Sequence, residues 1–95
     1  MKHATPAALD QIEELLEKLR GYPLKERSRG TFYRGSSAFL HFHEDPAGMF
    51  ADLKLGGDFE RFRVSTRAER AAFLRAVATE LAQTDGRSRD TRRAG

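Results

Sequence analysis

Two histidines separated by one residue, His41 and His43, are the side chains of this chain whose type and spacing best suit chemistry. Side chains alternate between the two faces of a β-strand, so a strand through this segment places both imidazoles on one face. The strand pairing predicted below puts Asp52 directly across from His41. Two imidazoles and a carboxylate are an acceptable ligand set for zinc or iron, so a metal site is one interpretation. The other is a pair of surface histidines that Asp52 holds and that stack on Phe50.

The same pairing predicts a row of charged side chains, with Asp52 between His41 and Arg61. Such a row can act as an ion-pair ladder that fixes the strand register, each cross-strand pair contributing roughly 0.2–1 kcal/mol. It can equally form a hydrogen-bonding site for an acidic ligand, with Arg61 and Arg63 as the anion clamp. Both interpretations depend on the register of the strands.

Three glycine-containing turns divide residues 30–64 into four short strands. Gly35–Ser36 and Gly56–Gly57 suit two-residue hairpin loops, and residues 45–48 suit a four-residue loop with proline and glycine. The turn fixes the register of a hairpin, and the register decides which side chains share a face. The predicted cross-strand pairs include Phe32 with Phe39, Tyr33 with Ala38, Phe42 with Ala51, His41 with Asp52, Lys54 with Phe59, and Asp52 with Arg61.

These registers give the predicted sheet one apolar face, which covers the core, and one mixed face. The mixed face combines four phenylalanines with six ionisable side chains: Phe32, Phe39, His41, His43, Phe50, Asp52, Lys54, Phe59, Arg61 and Arg63. A sheet face left to water is expected to be mostly polar. This composition therefore indicates a binding face, or partial cover by the chain termini.

The mixed face supports three functional hypotheses. The first is non-catalytic binding of a partner protein, or self-association into a homodimer, through the phenylalanines with Arg61 and Arg63 at the rim. The second is binding of nucleic acid or of a small anionic ligand, because aromatic rings stack on bases while cations such as Lys54 contact phosphates. The third is a metal-dependent site at the His-x-His strand described above, for which zinc would be the cofactor. The first two hypotheses need none, so we expect no cofactor unless the third holds.

Composition argues against several other classes of protein. The 95 residues contain no cysteine, so a disulfide framework, thiolate metal ligands and a cysteine nucleophile are not available. Ser36 and Ser37 lie in a predicted turn without a nearby histidine, and no phosphate-binding glycine loop is present, so the sequence does not favour an enzyme. No apolar run approaches membrane-spanning length and no signal-peptide pattern is present, so we expect a cytoplasmic protein without membrane partners. We expect residues 1–83 to form one domain and residues 84–95 to form a disordered basic tail.

The positive charge is concentrated near the C-terminus. The formal net charge is +3, and residues 87–95 hold four arginines against one aspartate. Residues 1–86 are therefore close to neutral, and attraction for an anionic partner has to be argued locally. Lys25, Arg27 and Arg29 alternate before the first strand, where an extended chain would present a basic edge.

Two amphipathic helices flank the strands. Thr5 and Pro6 predict the start of a first helix, which ends at Gly21, and a capping box at Thr66 and Glu69 predicts the start of a second. Apolar residues recur at helical spacing in both. The sequence therefore predicts an α+β fold: a two-layer sandwich with a four-stranded antiparallel meander and an N-terminal and a C-terminal helix on one face, in the order α-β-β-β-β-α.

Part of the chain resembles two known families. Residues 39–55 resemble a small uncharacterised family of bacteria and fungi called the luciferase domain, through a His-x-His-x-Asp stretch that leads to an Asp-Leu pair. The matching residues are His41, His43, Asp45, Asp52 and Leu53. The family's longer segment with a second histidine pair is replaced here by residues 56–58, so the resemblance implies no activity. The Phe-Ala-Asp-Leu-Lys-Leu strand is also similar to the domains called MmcQ/YjbR-like, which would imply DNA binding.

Overall fold

The computed structural model describes residues 2–93, with side chains described for residues 2–83. The elements along the chain are β1 (Lys2–His3), α1 (Pro6–Gln11), α2 (Glu13–Leu19), β2 (Lys25–Ser28), β3 (Thr31–Arg34), β4 (Ser37–Asp45), β5 (Gly48–Leu55), β6 (Asp58–Arg63) and α3 (Arg67–Arg93). The strands form an antiparallel sheet in the order β2-β3-β4-β5-β6, and β1 also pairs with β4. The predicted α+β meander with a helix at each end is confirmed, and β1 and β2 extend the predicted four strands.

The N-terminal helical segment begins as predicted but is interrupted at Ile12. Thr5 is the N-cap residue, because its Oγ1 accepts a hydrogen bond from the Ala8 N–H at 3.3 Å, and Pro6 opens the helix. Ile12 has φ −116° and ψ 23°, which separates α1 from α2 where one helix was predicted. Its side chain is only 1% exposed, so the apolar stripe of this segment stays in the core across the interruption.

Helix α3 begins at the predicted capping box. Thr66 Oγ1 accepts from the Glu69 N–H at 3.1 Å, and Glu69 Oε1 accepts from the Thr66 N–H at 3.0 Å. The same carboxylate oxygen accepts from the Ser65 N–H at 2.9 Å, which ties the end of the sheet to the helix. The helix is assigned as far as Arg93. The predicted disordered tail, residues 84–95, lies outside the residues whose side chains are described, so its disorder stays a prediction.

The helices pack on one face of the sheet and share one hydrophobic core with it. Phe73 of α3 is fully buried and packs against Phe42 of β4 and Phe62 of β6, with ring centroids 6.1 and 5.5 Å away. Leu16 and Leu19 bring α2 into the same cluster and are also fully buried. Among the described residues, the helices therefore cover the face of the sheet opposite the mixed face.

A β-bulge between β3 and β4 changes the membership of the mixed face. Tyr33 pairs with Ala38 as predicted, but the register then shifts, and Phe32 pairs with Leu40 instead of Phe39. Phe32 therefore shares the core face with Leu40 and is 0% exposed, and Phe39 is 3% exposed within the core cluster. The prediction that these two phenylalanines lie exposed on the mixed face was wrong. Burying a phenylalanine gains about 1.5–3 kcal/mol, more than the roughly 0.5–1.5 kcal/mol of a ladder hydrogen bond.

The other two predicted hairpins have the predicted registers. The observed pairs include His41 with Asp52, Phe42 with Ala51, His43 with Phe50, Asp52 with Arg61, Lys54 with Phe59, and Phe50 with Arg63. The loop between β4 and β5 is shorter than predicted, because Asp45 pairs with Gly48 and leaves two residues in the turn. The strands that carry most of the mixed face are therefore in the predicted alignment.

Glu26, in the edge strand β2, should make the stability of the domain depend on pH. Its carboxylate accepts from Arg20 Nε at 2.6 Å and from the Gly30 N–H at 2.9 Å. The Arg20 hydrogen bond, with help from Gly30, holds the pKa of Glu26 below its usual value of 4.5. The stabilisation is thus present above about pH 4.5 and is lost as the pH falls through the lower, folded-state pKa.

We expect acidification to destabilise the unmodified protein more than Glu26→Gln, whose amide does not titrate. The difference should be about 1 kcal/mol or less, because the ion pair is partly exposed and screened by solvent. Urea unfolding of both proteins at about pH 7 and about pH 3 measures it. Equal losses of unfolding free energy in the two proteins would contradict the assigned role of this carboxylate.

Candidate metal centre

The three histidines of the chain meet on the mixed face. His3, in the two-residue strand β1, lies directly across from His43 in the pairing of β1 with β4. Directly opposed residues of antiparallel strands point to the same face, so His3 and His43 share a side of the sheet. His41 lies two residues along β4 and therefore on that side as well. The spacing of His41 and His43 predicted their place on this face, whereas no sequence pattern predicted that of His3.

Strand β1 is held against β4 by two hydrogen bonds from the residues that follow it. The Ala4 N–H donates to the Phe42 carbonyl at 3.2 Å, and the Thr5 N–H donates to Glu44 Oε1 at 2.5 Å. The bond from Thr5 lowers the pKa of Glu44. A strand of two residues has no periodicity to detect. The sequence feature that could have pointed to His3 is its closeness to the helix start at Thr5, because the start of the helix keeps this segment near the sheet.

The three imidazoles are close enough to share one ion. Each of His3, His41 and His43 offers a ring nitrogen, and these atoms all lie within 4.8 Å of one another. His41 Nδ1 and His43 Nε2 are 2.9 Å apart, and the two rings meet edge-on with centroids 4.8 Å apart. The His3 ring lies 5.1 Å from that of His43. A tetrahedral zinc ion with bonds of about 2.0–2.1 Å separates its nitrogen ligands by about 3.3 Å. The 4.8 Å limit exceeds this separation, so the imidazoles would have to move closer together to bind one ion.

Asp52 supports this group through His43. Its Oδ2 lies 3.1 Å from His43 Nε2, although its direct cross-strand partner is His41. Arg61 binds both oxygens of the Asp52 carboxylate, with Nε to Oδ1 at 2.8 Å and a terminal nitrogen to Oδ2 at 2.9 Å. The Arg61 hydrogen bonds lower the pKa of Asp52, so the carboxylate is ionised at neutral pH. A metal-binding histidine usually donates its other ring N–H to a carboxylate. The contact of Asp52 with Nε2 therefore leaves Nδ1, which has no hydrogen-bond partner among the described residues, as the His43 nitrogen for a metal ion.

The environment of His41 favours its neutral form, which is the form that binds metal ions. Burial lowers the pKa of His41, and the nearby charges of His43, His3 and Arg61 act in the same direction, against an opposite effect of Asp52. His43 Nδ1 is buried and has no hydrogen-bond partner among the described residues. Among the described residues, His43 Nδ1 is therefore a ring nitrogen of the cluster that is not committed to another protein group.

The remaining members of the mixed face surround the histidines. The Phe59 ring lies 5.2 Å from the His41 ring. At 45% exposure, Phe59 is the one exposed large apolar side chain among the described residues. Lys54 Nζ lies 5.8 Å from the centre of the Phe59 ring. Arg63 lies over Phe50, with its guanidinium carbon 5.9 Å from the ring centre, and also pairs with a carboxylate of α3. Eight of the ten predicted residues thus occupy this face, and Phe32 and Phe39 do not.

Comparisons of the chain with protein-family models, with curated proteins and with solved structures find no match. The resemblances to the luciferase domain and to MmcQ/YjbR-like domains therefore stay predictions. Within the part of the chain that the structure describes, no helix is both long and apolar enough to cross a membrane.

Proposed function

We propose that this domain binds one divalent transition-metal ion, zinc or a close relative, through His3, His41 and His43. The observation that carries the proposal is the convergence of one ring nitrogen from each histidine to within 4.8 Å. The ligand set differs from the one predicted from the sequence in two respects. His3 joins it, and Asp52 acts through its contact with His43 rather than as a primary ligand.

The chemistry of the donors supports a metal of this class. Imidazole nitrogen suits zinc, copper, nickel and iron, whereas magnesium and calcium prefer oxygen ligands. Arg61 fixes Asp52, and Asp52 in turn contacts His43, so the central imidazole is held before any ion binds. A ligand that is already oriented loses less conformational entropy on binding than a mobile one.

Zinc should raise the melting temperature of the unmodified protein, and His3→Gln should remove most of that rise. At a free zinc concentration about 100 times the Kd, binding stabilises the folded state by about 2.7 kcal/mol, or roughly 10–20 °C for a domain of this size. Thermal unfolding of protein without a histidine tag, with zinc and after chelation, measures the effect. His3 is exposed, so its replacement should leave the metal-free melting temperature nearly unchanged.

Lys2→Gln is the matched control, because Lys2 is the neighbour of His3 in β1 and lies across from Glu44 on the other side of the strand. It should keep the full zinc response, whereas His43→Gln should lose it. No zinc response in the unmodified protein would refute the proposal. A full response in His3→Gln would show that the three-histidine site does not form.

Binding of a partner protein, or self-association, is a second candidate for the same face. This candidate was suggested by the four phenylalanines predicted on the mixed face. Of these four, Phe59 is exposed and Phe50 is half-buried. Because Phe32 and Phe39 are buried, the apolar area that supports this candidate is smaller, and we rank it below metal binding. The homodimer and the cytoplasmic location expected from the sequence stay predictions within this proposal.

A further inference from the structure

Resting on the proposed function, we infer that the bound metal ion keeps a coordination position open to solvent and that this position takes a small oxyanion, a carboxylate or a phosphate. Metal sites that act on ligands have three protein ligands and one exchangeable position, whereas structural sites are closed by a fourth protein ligand. An open position requires that no fourth protein ligand reaches the ion. An anionic ligand requires that the site is positively charged and accessible to solvent.

The three carboxylates of β4 and β5 already have hydrogen-bond partners. Both oxygens of Asp52 bind Arg61. Glu44 accepts from the Thr5 N–H, and Asp45 Oδ2 accepts from the Ala47 N–H at 3.0 Å. A fourth protein ligand would require one of these carboxylates to give up its hydrogen bonds, which costs free energy. Among the described residues, the three histidines therefore form the ligand set.

The charge of the loaded site favours an anion. Three neutral imidazoles leave the charge of a divalent ion uncompensated, and the charge of Asp52 is balanced by Arg61. The centre thus has a net charge of about +2, which an anionic ligand at the ion reduces. Lys54 adds a positive group at the rim, and it makes no ion pair with a carboxylate of the described residues.

The site is open on the side from which such a ligand would come. His3 is exposed, and His41 and His43 are partly exposed. The Phe59 ring borders His41 and gives this edge of the site an apolar wall with Lys54 beside it. An apolar wall next to a cation suits a small carboxylate or phosphate, whose carbon or ester part can contact the ring while its charged group lies near the ammonium group.

Cobalt(II) is the probe for this inference, because its visible absorption bands depend on its coordination. Cobalt is added to the full chain, which is then titrated with acetate, with inorganic phosphate, and with perchlorate as a non-coordinating control at equal ionic strength. We expect the cobalt bands to change to saturation with acetate or phosphate and not with perchlorate. Lys54→Gln should weaken anion binding about two- to fivefold while leaving the affinity for cobalt unchanged.

The outcomes separate the two proposals. An absence of protein-dependent cobalt bands would overturn both the proposed function and this inference. Bands that form but do not respond to either anion would overturn the inference alone, because the site would then be closed. In that case, if Asp52→Asn makes the cobalt bands respond to acetate, Asp52 is the fourth ligand that closes the site. A response to a short single-stranded oligonucleotide, but to neither small anion, would also overturn it and would assign the face to nucleic acid.

Discussion

Phe32→Ala should lower the free energy of unfolding by about 3–5 kcal/mol, the usual cost of removing a buried aromatic ring. Phe32 is 0% exposed and lies across from Leu40, so its removal leaves a cavity under the first hairpin. A loss of this size is a large part of the total stability of a small domain, which is about 5–15 kcal/mol. Urea unfolding followed by far-ultraviolet circular dichroism measures the change.

Phe59→Ala is the matched control, because the sequence placed Phe59 and Phe32 on the same face. Phe59 is 45% exposed, so its truncation should change the unfolding free energy by about 1 kcal/mol or less. If the two variants lost equally little stability, Phe32 would have to lie on the mixed face, and the bulge between β3 and β4 would be wrong. A large loss in Phe32→Ala alone confirms the bulge.

The bulge also shows where register prediction from turns reaches its limit. A two-residue turn fixes the pairs next to it, and Tyr33 does pair with Ala38 as the Gly35–Ser36 loop predicted. The shift occurs one pair further on, where burial of an aromatic ring outweighs the regular ladder. Thr31 then pairs with His41, which removes it from the apolar face that it had interrupted in the predicted register. The position of Thr31 on the predicted apolar face was a visible sign of the error. Tertiary packing decides where a bulge forms, however, and the turn residues do not encode that packing.

The candidate site was predictable in the part that a single hairpin determines. His41, His43 and Asp52 lie on β4 and β5, and the turn between these strands sets their alignment. The contribution of His3 depends on contacts between residues far apart in the chain, such as the hydrogen bond from Thr5 to Glu44, separated by 39 positions. The contact of Asp52 with His43 rather than with His41 was also beyond prediction, because it depends on side-chain conformations.

Thr5 links the helix to the candidate metal centre. Its side chain caps α1 by accepting from the Ala8 N–H, and its backbone N–H binds Glu44, next to His43 in β4. The same residue therefore fixes where the helix begins and where β1 crosses the sheet. Because His3 lies two residues before this cap, a metal ion bound at His3 would stabilise the same arrangement of the N-terminal segment that helix formation at α1 stabilises.

Gly48→Ala should destabilise the domain by about 3–5 kcal/mol, the sum of backbone strain and the loss of a partly buried hydrogen bond. Gly48 has φ +139°, a conformation that side chains with a Cβ rarely adopt. The new methyl group would overlap Ser65 Oγ and crowd the Arg63 guanidinium. Ser65 Oγ accepts from the Met49 N–H at 2.8 Å, so its displacement breaks the link between β5 and the start of α3. Thermal and urea unfolding of the variant measure the loss.

Gly35→Ala separates the effect of the contact from that of the backbone. Gly35 also has a positive φ, +61°, but a methyl group there would meet no atom within 4 Å. Its replacement should therefore lower the unfolding free energy only by the cost of holding alanine in a left-handed backbone conformation, about 1–2 kcal/mol. Because Gly48 begins the strand that carries Asp52, Gly48→Ala should also weaken zinc stabilisation, whereas Gly35→Ala should keep it. Equal destabilisation by both variants would contradict the contact with Ser65, and an unchanged zinc response in Gly48→Ala would show that the metal centre does not depend on this hairpin.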